Sequence, residues 1–205
     1  MNLPEKLGLI FLVSEIGVSV LRRSGTKSTR HDGGSLALLW VTISAAMVGA
    51  VLVASLLPQF AFVLKHSTAK LVGPVFVLGL VLRWWAIISL GKFFTVDVAI
   101  ATDHQLIVRG PYHFVRHPSY TGMMVAFFAL ALTFQNWLSF ACVLVPISLA
   151  LTYRIYVEEI ALEATFGESY QQYARRLSGS FPESSKSVRR GEFRQDAERD
   201  GPSHL

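Results

Sequence analysis

The chain has 205 residues, the size of one domain, and carries a net charge of +5. Apolar residues make up 52% and charged residues only 16%, against roughly 25% in a soluble domain, which excludes an ordinary soluble fold and points to the membrane. The basic residues are scattered among apolar segments, so the charge is read as setting topology, and a nucleic-acid partner is not expected.

The first apolar stretch, Leu7 to Leu21, is interrupted by Ser14 and Glu15. It predicts a first transmembrane helix in which Glu15 faces the bundle interior, or else an interfacial segment in which Glu15 meets water. No basic region precedes it and no cleavage pattern follows it, so a removed signal peptide is not expected. The next loop holds Arg22, Arg23, Lys27 and Arg30 against Asp32, an excess that marks the cytoplasmic side. Leu36 to Leu57 is uncharged and ends at Pro58. Its small residues Ala45 and Gly49, and Ala50 and Ala54, are four apart and allow close helix packing.

Leu71 to Leu90 is the third span, with Arg83 beside Trp84 and Trp85. Arg83 reads either as snorkelling to an aromatic belt or as an intramembrane arginine facing a site. Met123 to Phe134 and Trp137 to Tyr153 are separated only by Gln135 and Asn136, and read as a short helical hairpin. Cys142, the single cysteine, lies within it as a buried thiol, and no disulfide framework is possible.

Arg154 to Leu177 then reads as an amphipathic helix leaving the membrane, broken near Gly167, with a second helix at the surface. Pro182 to Leu205 mixes basic and acidic residues with almost nothing apolar and reads as a disordered tail. The expected fold is an all-α polytopic membrane protein. It has about five transmembrane helices, the last two as a short hairpin, plus cytoplasmic C-terminal helices. The membrane domain covers 1–181, and the N-terminus lies outside. The loop around residue 115 and the C-terminal helices share the inner face, and a bacterial inner membrane is the expected location.

Chemistry concentrates between Arg109 and Gly122, where Arg-Gly-Pro-Tyr-His-Phe-Val-Arg-His-Pro-Ser-Tyr-Thr-Gly is polar, aromatic and punctuated by proline. His113 and His117 are four apart, but no second histidine box exists and a metal site is not expected. Arg154 and Glu158 share a helix face, in the order less favourable for a simple surface pair. Glu159 lies about 100° further round that helix, so both acids need not face one site. No glycine-rich loop follows a strand, and no serine or cysteine nucleophile has a base and orienter.

Four blocks in order carry a resemblance: Gly110-Pro111-Tyr112, then Arg116-His117-Pro118-Ser119-Tyr120-x-Gly122, then Arg154-x-x-x-Glu158-Glu159, then Phe166-Gly167-x-x-Tyr170-x-x-Tyr173. Together they resemble the isoprenylcysteine carboxyl methyltransferase family, and the phospholipid methyltransferases are similar. The resemblance covers roughly Phe93 to Leu177, and the cofactor-binding half is about 91–177. It implies S-adenosyl-L-methionine as cofactor, held by His104, Gln105, Leu106, Ile107, Tyr112, His117, Pro118, Ser119, Tyr120 and Glu158. Asp97 falls where a further polar contact is expected. Arg154 is implied to face the acceptor carboxylate and, with Glu158, to serve catalysis.

The implied partners are a lipophilic or small-molecule methyl acceptor and membrane lipid, with an isoprenylcysteine-like carboxylate preferred. Phospholipid or small-thiol methylation is one alternative. A sterol-reductase-like enzyme using NADPH is another, and a non-enzymatic membrane subunit or transporter is a third.

Overall fold

Among the described residues of this computed structural model (2–21, 29–30, 34–94, 99–100 and 106–178), six helices follow one another. They are α1 (Leu3–Leu21), α2 (Ser35–Leu56), α3 (His66–Leu90), α4 (Pro118–Leu132), α5 (Trp137–Phe166) and α6 (Glu168–Ser178). Three of them, α2, α3 and α5, are long and apolar enough to cross a membrane. At 1.5 Å per residue they reach about 33–45 Å, against a hydrocarbon core of about 30 Å. Val13 and Ile16 on α1, Val41 and Val48 on α2, Val77 and Val81 on α3, and Val145 and Leu149 on α5 are all exposed. Lipid is the solvent that tolerates such a surface, and the protein is integral to the membrane.

Lipid tails are as apolar as leucine, so helices in a membrane gain by close approach and by polar contacts rather than by leaving water. Both devices are used. Between α2 and α5, Ala46 and Ala50 are buried, Gly49 faces the Cys142 thiol, and Ser139 Oγ donates to the Ala50 carbonyl at 2.8 Å. The small-residue stripe therefore falls one position beyond Ala45, which is exposed, and Cys142 is half-buried rather than fully enclosed. Between α3 and α4 the backbones nearly touch. A Cβ on Gly122 would stand 2.6 Å from both the Arg83 nitrogen and the Gly79 carbonyl oxygen. One on Gly79 would stand 2.6 Å from the Ala126 nitrogen.

At the end away from the Arg109–Gly122 segment, the α2–α3 connection meets the α4–α5 turn. Asn136 joins them. Its Oδ1 accepts from the Leu138 and Ser139 amides, capping α5, and its Nδ2 donates to the Leu57 carbonyl at 3.0 Å. Phe62 N donates to the Gln135 carbonyl alongside. Losing a cap costs about 0.5–2 kcal/mol and a buried hydrogen bond about 1 kcal/mol more. Asn136→Ala is therefore expected to destabilise by about 2 kcal/mol, read as a lower Tm in detergent, while ligand binding at low temperature is retained. An unchanged Tm would refute this role.

The α4–α5 hairpin forms as expected, and α5 runs on through Arg154 to Phe166 as one helix. Arg154 is buried in the bundle, where Ser35 of α2 accepts one of its hydrogen bonds. The break comes at Gly167, whose φ of +51° is a left-handed conformation that disfavours any residue with a Cβ. That reversal lets α6 fold back over the segment preceding α4. A two-residue antiparallel ladder, Thr29–Arg30 with Ala99–Ile100, joins the α1–α2 and α3–α4 connections at this same end. The expected tail from Pro182 lies outside the described residues.

Candidate active site

Arg154, Glu158, Ala161 and Leu162 recur at helical spacing, so α5 turns them all to one cavity. Across it, a 3-10 turn at Gly110–His113 and the first turn of α4 carry the motif residues. Pro118 opens α4 at the position where its missing N–H and fixed φ suit a helix start. Tyr120 Oη donates to Glu158 Oε2 at 2.7 Å. Glu159 takes the neighbouring direction: its Oε1 accepts from Arg116 Nη1 at 2.7 Å and lies 3.0 Å from His117 Nε2. The two adjacent acids thus grip the same motif from α5, one through Tyr120 and the other through Arg116 and His117.

The α6 helix closes the cavity. Tyr173 Oη donates to the Tyr112 carbonyl at 2.8 Å, and Tyr170 and Tyr173 are both buried. Burial pushes the Tyr112 and Tyr170 phenols well up, and the Glu158 carboxylate reinforces this at Tyr112 as Glu159 does at Tyr170. Burial pushes Tyr173 up to about 12, against the opposing charge of Arg116. All three stay neutral at physiological pH, as aromatic faces and hydroxyl donors. The Tyr170 hydroxyl is buried close to the Glu159 carboxylate.

The cavity holds about 1200 Å³ of empty space, part of it open to solvent. Its lining includes the polar side chains of Arg116, His117, Tyr120, Arg154 and Glu158 from the α4 and α5 side, and the apolar ones of Val18, Leu36, Leu39, Trp40, Ile43 and Met123, mostly from α1 and α2.

Most of the residues named from sequence line this space: Leu106, Ile107, Tyr112, His117, Ser119, Tyr120, Arg154 and Glu158. Pro118 is buried but absent from the lining, because its ring starts α4. His104, Gln105 and Asp97 lie outside the described residues. His113 is exposed and sits edge-on to Phe114, while His117 bonds Glu159, so the histidine pair has no common partner.

Arg83 does not snorkel. It is 5% exposed, and its Nε and Nη2 fork onto both oxygens of Glu15, itself 3% exposed. Arg83 Nη1 donates to Ser119 Oγ at 2.9 Å. Glu15 therefore faces the bundle interior. The pairing was missed from sequence, although a signal existed: two lone opposite charges in apolar helices must find partners. Arg154 Nη1 donates to Ser35 Oγ at 2.7 Å, a partner no motif announces.

Comparison with known proteins fits this geometry. Residues 71–164 match the family described as isoprenylcysteine carboxyl methyltransferase (ICMT). The chain is 33% identical over 108 residues to protein-S-isoprenylcysteine O-methyltransferase B of Arabidopsis thaliana, covering 52% of this chain and 55% of that protein. A probable protein-S-isoprenylcysteine O-methyltransferase of Oryza sativa subsp. indica is 28% identical over 69% of this chain and 74% of its own length. A solved structure of the eukaryotic intramembrane Ras methyltransferase, isoprenylcysteine carboxyl methyltransferase, superposes with a TM-score of 0.51 at 28% identity. That match covers 65% of this chain and 48% of the solved one, so this chain spans about half of that protein's length. The motif blocks, the matched segment from α3 into α5 and the shared helical arrangement agree: over these helices the chain is similar to the isoprenylcysteine carboxyl methyltransferase family.

Proposed function

We propose that this protein transfers the methyl group of S-adenosyl-L-methionine to the carboxylate of a lipophilic, isoprenylcysteine-like acceptor. The observation that carries the reading is a cavity lined both by charged and aromatic motif side chains and by apolar side chains of α1 and α2. The first set suits a small zwitterionic cofactor, and the second suits an acyl or prenyl chain.

The residues fit the cofactor chemically. Glu158 can neutralise an ammonium group, and His117 can meet a carboxylate. The neutral faces of Tyr112, Tyr120 and Tyr173 can attract a sulfonium. When bound, S-adenosylmethionine supplies an electrophilic methyl carbon. This chain's own work is then to bind, to align and to exclude water. A carboxylate acceptor is already ionised at neutral pH and needs no base. Arg154, buried on the same face of α5 as Glu158, offers a planar fork that matches a carboxylate. Holding the two reactants in line is worth up to about 7–11 kcal/mol. The site is read as cytoplasmic, since the sequence between α1 and α2 carries Arg22, Arg23, Lys27 and Arg30 against Asp32, an excess of the kind found on the inner side.

The test is calorimetry of the detergent-solubilised chain with S-adenosylmethionine, S-adenosylhomocysteine and NADPH. Wild type is expected to bind the first two and not the third. Glu158→Ala and His117→Ala should each bind at least about tenfold more weakly, since a hydrogen bond to a charged group is worth about 1.5–3 kcal/mol. Wild type that binds neither methyl compound, or variants that both bind unchanged, would overturn the reading.

A further inference from the structure

α1 lies outside the family-matched segment, yet one of its residues reaches the motif. Glu15 holds Arg83 through two hydrogen bonds, and Arg83 passes a third to Ser119, in the first turn of α4. All three side chains line the cavity. The backbone of Arg83 is already fixed, because Gly122 of α4 packs against its nitrogen. The aim of its guanidinium is not fixed by that contact, and Glu15 supplies what sets it. We infer that Glu15 is a positioning residue: through Arg83 it fixes Ser119, and with Ser119 the start of α4, from which His117 and Tyr120 line the cavity.

The inference rests on the cofactor reading above, and the structure contains its own control. α1 has a second polar tie to α3 at the adjacent pair of positions, where Trp84 Nε1 donates to Ser14 Oγ at 2.7 Å. That tie also docks α1 but leads to no motif residue, and neither Ser14 nor Trp84 lines the cavity. If Glu15 only docks α1, loss of either tie should loosen α1 and change stability and affinity in the same proportion. If it positions the motif, the two should differ.

The experiment is calorimetric titration of S-adenosylhomocysteine into the full solubilised chain. Glu15→Gln and Ser119→Ala are each expected to weaken binding about tenfold. The double variant should be about as weak as either single one, since residues in one hydrogen-bonded chain are not additive. Ser14→Ala should lower Tm while affinity stays within about twofold of wild type. Independent effects that multiply to about a hundredfold in the double variant would overturn the inference, as would a Ser14→Ala loss equal to that of Glu15→Gln.

Glu15→Gln leaves a buried guanidinium without its counter-charge and can fail to accumulate. In that case Glu15→Leu combined with Arg83→Met, which removes both charges together, carries the test. It is expected to fold and to bind about tenfold more weakly, and wild-type affinity would overturn the inference. Failure of wild type to bind removes the cofactor reading and this inference with it. Wild-type binding with unaffected variants removes the inference alone.

Discussion

Replacing Gly122 by valine is expected to abolish accumulation of the folded protein, and Gly122→Ala to lower its stability by about 2–3 kcal/mol, the upper part of the range for overpacking. The atoms that an added Cβ meets are backbone: the Arg83 nitrogen at 2.6 Å, the Gly79 carbonyl oxygen at 2.6 Å and the Arg83 Cα at 3.1 Å. Backbone cannot rotate away as a side-chain tip can, so α3 and α4 must part. The damage is not confined to packing. Separation at this point also draws Ser119 from Arg83 and shifts Tyr120, two residues earlier on α4, away from Glu158. Gly122→Ala should therefore lose ligand affinity together with thermal stability. Gly79→Ala should behave similarly, because it meets the same crossing from the other side. Combining the two should cost less than their sum, since helices already parted have room for the second methyl. A Gly122→Ala protein that melts with wild type would show that the close approach is not required.

The second large effect concerns Arg154. In the carboxylate reading, Arg154→Ala is expected to lower kcat/KM for the acceptor by about 10²–10³, which corresponds to about 3–4 kcal/mol for losing two charge-assisted hydrogen bonds in a buried site. Cofactor affinity should change by less than about threefold, because Glu158, not Arg154, is given the cofactor contact. Arg154→Lys keeps the charge and loses the planar fork, so it should fall between wild type and alanine. The cation is not asked to make the carboxylate more nucleophilic. Paired charge stabilises the reactant carboxylate at least as well as the partly neutralised transition state, so the gain must come from alignment and binding. The measurement is steady-state methyl transfer from labelled S-adenosylmethionine to a prenylated cysteine derivative, with cofactor Kd determined separately. Unchanged kcat/KM in Arg154→Ala would remove Arg154 from the acceptor site, whatever the cofactor data show.

The two predictions differ in how visible their basis is in the sequence. Gly122 stands in the motif, yet the motif does not say why a glycine is needed there. The reason is Gly79, on another helix, at the point where two backbones meet. Arg154 was marked by its place on a helix with Glu158, but its burial was not. An arginine after a long apolar run reads as emergence into water. Here α5 continues past it, and Ser35 at the start of α2 accepts one of its hydrogen bonds. The burial goes unseen for one reason: a charge satisfied by a distant partner looks, in one dimension, like a charge satisfied by solvent.

What the linear chain determines is local and periodic. Long uncharged runs set the helices and the membrane, Pro118 and Gly167 set where two of them start or stop, and the ordered blocks from Gly110 to Tyr173 mark the site. Tertiary structure alone decides which way each polar side chain turns. Glu158 and Glu159 are neighbours in sequence, and only the rotation of α5 against α4 sends one to Tyr120 and the other to Arg116 and His117. Glu15 and Arg83 are 68 residues apart, and either could have met water or lipid headgroups instead. In a low-dielectric bundle, a charge is tolerable only where a partner waits, and that partner is chosen by how the helices pack.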